Sequence, residues 1–108
     1  MGRYKILHSA RFDRELSKFD NYFQKQVDKI ENKLVENPYV GKPLSFEWFR
    51  EKKIEKYRIY YVIYEDLEVV CMVAISEKKD QQKIINTVRL LLDFIRKEVE
   101  NLLDDGFI

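Results

Sequence analysis

The chain has 108 residues and carries 20 basic against 19 acidic side chains, a net charge of +1, with 45% of residues hydrophobic. That length holds one modest core rather than two, and the apolar fraction excludes a disordered chain. A single cysteine, Cys71, excludes an internal disulfide and a cysteine-based zinc set, and no run approaches the ~20 apolar residues that a membrane-spanning helix needs.

Residues 1–8 have no long apolar run, so no signal peptide is expected and the reducing cytoplasm is the expected compartment. Charge is unevenly placed. Between Lys42 and Arg58 lie six basic residues against Glu47, Glu51 and Glu55, whereas residues 98–105 carry four acids and no base. A basic middle suits an anionic partner, although solvated faces account for the same counts.

In chain order, residues 4–8 read as a short first strand. Ser9 follows as a helix N-cap, and Phe12, Leu16 and Phe19 recur at helical spacing. Asn21 offers a second cap with Gln24 three residues on, a capping-box arrangement, before Phe23, Val27, Ile30 and Leu34 mark an amphipathic helix. Asn37-Pro38 ends it, because a residue before proline disfavours the helical region. Residues 38–45, with both prolines and Gly41, read as a loop.

Beyond the loop the period changes to two. Residues 50–56 form a weak strand pattern. Residues 57–64 form a strong one, with Tyr57, Ile59, Tyr61 and Ile63 on one face and Arg58, Tyr60, Val62 and Tyr64 on the other. The polar turn 65–68 joins it to a nearly all-apolar strand, 69–75, which must be antiparallel to its predecessor; Cys71 within it reads as a small buried residue. After polar residues 76–83, Ile84, Val88, Leu91, Ile95, Val99 and Leu102 predict one long helix over about 81–103. The sum is a single α+β domain, residues 1–108. An N-terminal strand and a two-helix hairpin pack on a curved antiparallel sheet, the core covers about 4–80, and a long C-terminal helix follows. Two helices cover only one sheet face. The other is left for a substrate, a partner or the last helix.

If the Tyr57 set packs on the helices, Arg58 points to the opposite face. On the preceding strand Glu51 and Lys53 alternate with Arg50, Lys52 and Ile54, and Ile54 assigns the Lys52 set to the core side, which favours Lys53 as the companion of Arg58. Lys78 and Lys79, just past the last strand, reach the same edge. Basic groups interleaved with Tyr60 and Tyr64 suit RNA, since cations bind phosphates and aromatic rings stack on bases. Ordinary solvent-facing lysines give the same pattern, and alternation alone leaves both readings open.

His8 is the only histidine, which excludes a Ser-His-Asp triad and two-histidine ribonuclease chemistry within one chain, and its place at a strand end reads as structural. There is no glycine-rich phosphate loop and no carboxylate set with metal-ligand spacing, so neither metal nor cofactor is expected. Phosphodiester chemistry here would rest on Lys, Arg and Tyr.

The pattern resembles the RelE/ParE superfamily of bacterial and archaeal toxins. Four segments carry the resemblance: Ser9-Ala10-Arg11-Phe12 opening the helical hairpin; Asn37-Pro38 followed by Gly41-Lys42-Pro43-Leu44; Tyr57-Arg58-Ile59-Tyr60-Tyr61; and Val73-Ala74-Ile75-Ser76. They span residues 4 to about 80. The resemblance implies a toxin neutralised by a small antitoxin that wraps it. In the RelE branch it implies metal-independent cleavage of messenger RNA in the ribosomal decoding site, by attack of a ribose 2′-hydroxyl on the adjacent phosphate; ParE-like members poison DNA gyrase instead. Arg58 matches the family arginine that contacts the scissile phosphate, and Lys53, or Lys52, matches basic residues of the preceding strand. Lys79 lies near the position of a second arginine, so that Arg58, Lys53 and Lys79 are the expected catalytic residues, with Lys52, Lys78 and Tyr60 on RNA.

Two features depart from the family. RelE-type enzymes place a catalytic tyrosine shortly after the second arginine, whereas this chain has Gln81-Gln82-Lys83-Ile84-Ile85 there and no tyrosine beyond Tyr64. Lysine in place of arginine also loses the bidentate fork. The expected function is a RelE-like toxin acting as a ribosome-dependent mRNA endoribonuclease, with antitoxin, ribosome and mRNA as partners and no membrane. The alternatives are a non-catalytic binding protein on the same fold, dimerising through the C-terminal helix, and a ParE-like gyrase inhibitor.

Overall fold

A computed structural model describes residues 3–105. Strand β1 (Lys5–His8) leads into helix α1 (Ala10–Leu16), and Ser9 caps it as expected, its Oγ accepting the Phe12 N–H at 3.0 Å. Helix α2 (Asn21–Glu36) is capped by Asp20 rather than Asn21: the Asp20 carboxylate accepts the Phe23 N–H at 2.9 Å. Gln24 closes no capping box. Its amide donates to the carbonyls of Leu16 and Phe19, at 3.3 and 3.0 Å, and so ties the start of α2 to the end of α1. Asn37 ends α2 and accepts the Tyr39 N–H, starting a 3-10 turn, Pro38–Val40.

Strands β2 (Lys42–Leu44), β3 (Phe46–Ile54), β4 (Tyr57–Tyr64) and β5 (Val69–Glu77) follow, then a 3-10 turn, Lys78–Asp80, and helices α3 (Gln81–Leu90) and α4 (Leu92–Asp105). The sheet order is β1-β5-β4-β3-β2. It is antiparallel except at β1, which pairs parallel with β5. The segment expected to be loop thus contains the edge strand β2, and β3 begins four residues earlier than residue 50 because Phe46 and Trp48 also pack.

The alternation along β4 is as expected. Tyr57, Ile59, Tyr61 and Ile63 meet Phe12, Phe23, Val27 and Leu34 of the hairpin. Tyr60 and Val62 lie on the other face with Phe49, Cys71 and Val73, and there Ile84, Ile85, Val88, Ile95 and Val99 cover the sheet. The C-terminal segment, not open solvent, therefore occupies that face, and each of these fully buried aliphatic side chains contributes roughly 1.5–3 kcal/mol. A register shift at Tyr60/Tyr61 marks a bulge at which Val73 and Ala74 both face α3 and α4.

The expected single helix is two. Leu91 leaves the helical region at φ −106° and ψ 16°, and its N–H is shared between the carbonyls of Thr87 and Val88. The Thr87 hydroxyl also bonds back to Lys83 O at 2.9 Å, a contact that bends helices. A straight helix over 81–105 would be about 37 Å long, equal to the longest dimension of the whole molecule, 37 Å. The break lets Ile95 and Val99 return to the sheet.

Candidate functional site

On β4, Arg58 lies opposite Lys53 of β3 and Ser76 of β5. Directly opposed residues of an antiparallel pair share a face, so Lys53 and Arg58 project together, with Glu51 opposite Tyr60 on the same side. Arg58 is only 8% exposed. One of its Nη atoms donates to the Tyr57 carbonyl at 3.2 Å, and its Nε is 3.8 Å from the Glu51 carboxylate, an ion pair too long for a hydrogen bond. A guanidinium has five N–H donors, so most have no protein partner, and neither Nε nor the other Nη of Arg58 is sealed from solvent.

These donors face an open cleft of about 310 Å³ lined by Lys42, Glu51, Lys52, Lys53, Arg58 and Lys78. Among the described residues none of the four lysines is in an ion pair. Glu51 is the only acid lining the cleft and is itself nearly buried; its other oxygen accepts the Gln81 amide at 2.7 Å. The first residue of α3 therefore holds Glu51, and Glu51 stands beside Arg58. Chemically, the cleft presents a nearly buried guanidinium, four ammonium groups and one carboxylate, a set that binds phosphate oxygens and can accept a proton.

The structure brings together Arg58, Lys53, Lys52 and Lys78 of the expected site residues. Lys52 reaches the cleft from the α2 side of the sheet, being opposite Ile59. Lys79 is exposed in the 3-10 turn beside Lys78 and does not line the cleft. Tyr60 differs most from expectation. It is completely buried, its ring 6.4 Å from that of Phe49 and its hydroxyl hydrogen-bonded to Ser76 Oγ at 2.8 Å. Burial raises its phenol pKa and leaves no ring face for stacking. No tyrosine lines the cleft, and residues 81–85 form the first turn of α3 with Ile84 and Ile85 in the core.

The sequence reading missed Glu51 and Lys42. Glu51 stood in the same alternating set as Lys53, which was a usable signal. Lys42 carried none, since its strand was read as loop.

His8 is structural, as expected. Its ring nitrogens meet Glu31 at 2.5 Å and Asp13 at 2.7 Å, and the Glu31 bond, then Asp13, raise its pKa to about 9 against the opposing effect of burial. Cys71 is buried, which pushes its thiol up to about 12 and leaves it inert. A larger hollow of about 720 Å³ lies at the opposite end of β4, between Trp48, Tyr64 and Arg96. Glu47, Glu65, Asp66 and Asp93 border it, so its charge suits phosphate less well than the smaller cleft. Among the described residues no cluster of His, Cys, Asp or Glu could hold a metal, and no helix is long and apolar enough to cross a membrane.

A family model described as the ParE toxin of the type II toxin–antitoxin system parDE matches residues 6–82. Among solved structures, a free-state double-arginine variant of the E. coli toxin RelE is similar over 84% of this chain and 99% of its own, with TM-score 0.71 and 17% identity. The intact E. coli RelBE toxin–antitoxin complex is similar over 68% and 95%, with TM-score 0.63 and 19% identity. The RelBE2 toxin–antitoxin complex of Mycobacterium tuberculosis is similar over 70% and 99%, with TM-score 0.61 and 22% identity. None of the curated proteins matches by sequence.

Proposed function

We propose a ribonuclease reading on this premise: the chain belongs to the ParE toxin family of type II toxin–antitoxin systems, within the RelE/ParE superfamily. In this reading it cleaves ribosome-bound mRNA in the cytoplasm, without metal. The observation that supports it best is Arg58, a nearly buried guanidinium whose uncommitted donors open on a lysine-lined cleft. A structural arginine at that depth would have its donors filled; one with donors to spare is set for an anion that arrives later.

The ribose 2′-oxygen attacks the adjacent phosphorus and loses its proton, the bond to the 5′-oxygen breaks, that oxygen takes a proton from one of the cleft ammonium groups, and a 2′,3′-cyclic phosphate and a 5′-hydroxyl result. Arg58 would stabilise the negative charge that builds on the phosphate oxygens. Lys53, directly opposite, would contact the same phosphate or take the proton, and Lys78, Lys42 and Lys52 would add positive charge. Glu51 would orient Arg58 and is a second candidate to receive the proton. With no tyrosine in the cleft, this chemistry runs on Arg, Lys and Glu alone. Lys79, outside the cleft, would act through long-range charge only.

The experiment is induction of the wild type and Arg58→Ala in cells, followed by mRNA cleavage on purified ribosomes. Growth arrest and cleavage by the wild type, both lost in the variant, support the reading; wild-type toxicity from Arg58→Ala removes it. The partner proposed is a short antitoxin, as in the RelBE complexes, which would suppress the arrest when co-expressed. A second reading, inhibition of DNA gyrase, is favoured by the ParE description of the matching family model. It predicts DNA damage with intact mRNA in the same cells.

A further inference from the structure

The basic surface does not stop at the cleft. Beyond Glu51, β3 has no β2 partner, because β2 pairs only as far as Lys42 with Glu51. Residues 52–54 therefore form a free edge. Alternation sends Lys53 to the Arg58 face and Lys52 to the α2 face, so the two ammonium groups straddle that edge. On the α2 side they enter a second, larger groove of about 640 Å³, between β3 and α2. Tyr22, Gln26, Lys29 and Lys33 line its far wall. Their spacing of four, three and four places them on one stripe of α2.

The chemistry of this stripe is specific. Lys29 and Lys33 are exposed, about 6 Å apart at their Cβ atoms, and neither is in an ion pair among the described residues. Tyr22 is 63% exposed and makes no ring contact among the described residues, although its neighbour Phe23 is packed into the core. One carboxylate, Glu55, lines the groove. Lysines without ion-pair partners, an amide donor and an exposed aromatic ring are the parts of a single-strand binding surface, with Ile30 and Ile54 also lining the groove, whereas the core of a protein-docking interface is depleted in lysine.

We propose that the groove between α2 and β3 binds the strand of single-stranded RNA that leaves the Arg58 cleft, with Lys29 and Lys33 on its phosphates and Tyr22 as a stacking platform for one base. The strand turns around the free edge of β3 between Lys53 and Lys52. This inference rests on the ribonuclease reading and extends it: the cleft holds the scissile phosphate, and the groove holds its flank.

The test uses the wild-type protein and 2′-O-methyl oligoribonucleotides, which have no free 2′-hydroxyl and cannot be cut. A trinucleotide fills the cleft alone, while a dodecanucleotide spans cleft and groove. Replacing both Lys29 and Lys33 with Ala should weaken dodecanucleotide binding by about tenfold at low salt and reduce the slope of log affinity against log salt by about 1.4, leaving the trinucleotide unchanged. Tyr22→Ala should weaken the dodecanucleotide by about fivefold or more with the salt slope intact. All three side chains are exposed, so folding is retained. The control removes Lys18 and Lys25, exposed on the hairpin but outside the groove. If the control pair lowers affinity as much as the groove pair, the effect is bulk charge and the proposal is wrong. If Arg58→Ala weakens the trinucleotide while the groove variants leave the dodecanucleotide unchanged, the groove fails and the ribonuclease reading stands. If the wild type binds neither oligonucleotide, the groove proposal fails, and the ribonuclease reading is judged by cleavage on ribosomes alone.

Discussion

Arg50 and Arg58 sit on neighbouring strands at nearly the same depth, 7% and 8% exposed, yet they are opposite in kind. Arg50 is saturated. Its Nε donates to the Glu47 carbonyl at 2.8 Å, one Nη to the carbonyls of Tyr39 and Gly41 at 2.9 and 2.7 Å, and the other to the Glu47 carboxylate at 2.7 Å. Its guanidinium also lies over the Tyr39 ring. Arg58 has one carbonyl and a long ion pair. Burial alone therefore says nothing about role. In the proposed reading, what separates a framework arginine from a functional one is how many of its donors the fold has already used.

The largest expected effect follows directly. Arg58→Ala should reduce mRNA cleavage by ~10²–10³-fold and abolish growth arrest, as removal of a transition-state donor does, while the thermal midpoint stays close to that of the wild type. Arg58→Lys should recover part of the activity, since charge returns without the fork. Arg50→Ala should do the reverse. It orphans three carbonyls and should cost about 3 kcal/mol of stability by denaturant titration, with cleavage per folded molecule preserved. If Arg50→Ala melts like the wild type, or Arg58→Ala unfolds, donor saturation is not the distinguishing property.

A smaller effect is expected one step out from Arg50. Gly41 donates its N–H to Tyr61 Oη at 3.1 Å, and the Tyr61 hydroxyl donates to Pro38 O at 2.7 Å. A Cβ on Gly41 would collide with that hydroxyl and come within 2.7 Å of the Glu51 carbonyl. Gly41→Ala should therefore lose about 1–3 kcal/mol by overpacking. Because Glu51 borders the cleft, it should also lower activity modestly, which Arg50→Ala should not. Measuring stability and cleavage on the same preparation separates the two.

The contrast between these arginines marks how far the sequence could be read. Alternation along β4 was unambiguous because four of its residues are large and apolar on one side, so the facing of Arg58 was legible. Periodicity and turn signals supplied the hairpin and the sheet, and the resemblance to the RelE/ParE superfamily agreed with them. The commitment of the Arg50 donors was not legible, because its partners are Tyr39 of the 3-10 turn, Gly41 just before β2 and Glu47 near the start of β3, all in residues that did not read as strand. The burial of Tyr60 was hidden for another reason. It depends on α3 folding back over the sheet, and periodicity describes the apolar stripe of Ile84, Val88, Ile95 and Val99 without saying what it covers. The break at Leu91 left no trace either, since the stripe continues through it. Glu51 was within reach: once Lys53 was placed on the Arg58 face, a period of two put Glu51 there as well.

The smallest effect tests whether framework and cleft are independent. His8 ends β1, two strands away from β4, and its pKa is raised to about 9 by Glu31 and then Asp13. Its unfolded value is near 6.5. Below the unfolded value both states are protonated and the stabilisation is fully present. Between about 6.5 and 9 the folded state holds a proton that the unfolded state has released, so stability falls as pH rises, and above 9 the contribution is gone. Because the site is only half-buried and solvent screens it, the loss should be about 1 kcal/mol. Chemical denaturation at pH 6 and pH 9.5 should show that decline in the wild type and its absence in His8→Gln. At each pH the two proteins should show the same ratio of Arg58-dependent to Arg58-independent RNA binding. A His8→Gln variant that altered RNA binding at constant stability would mean that the hairpin side of the sheet communicates with the cleft, and the division between the saturated framework and the open site would fall.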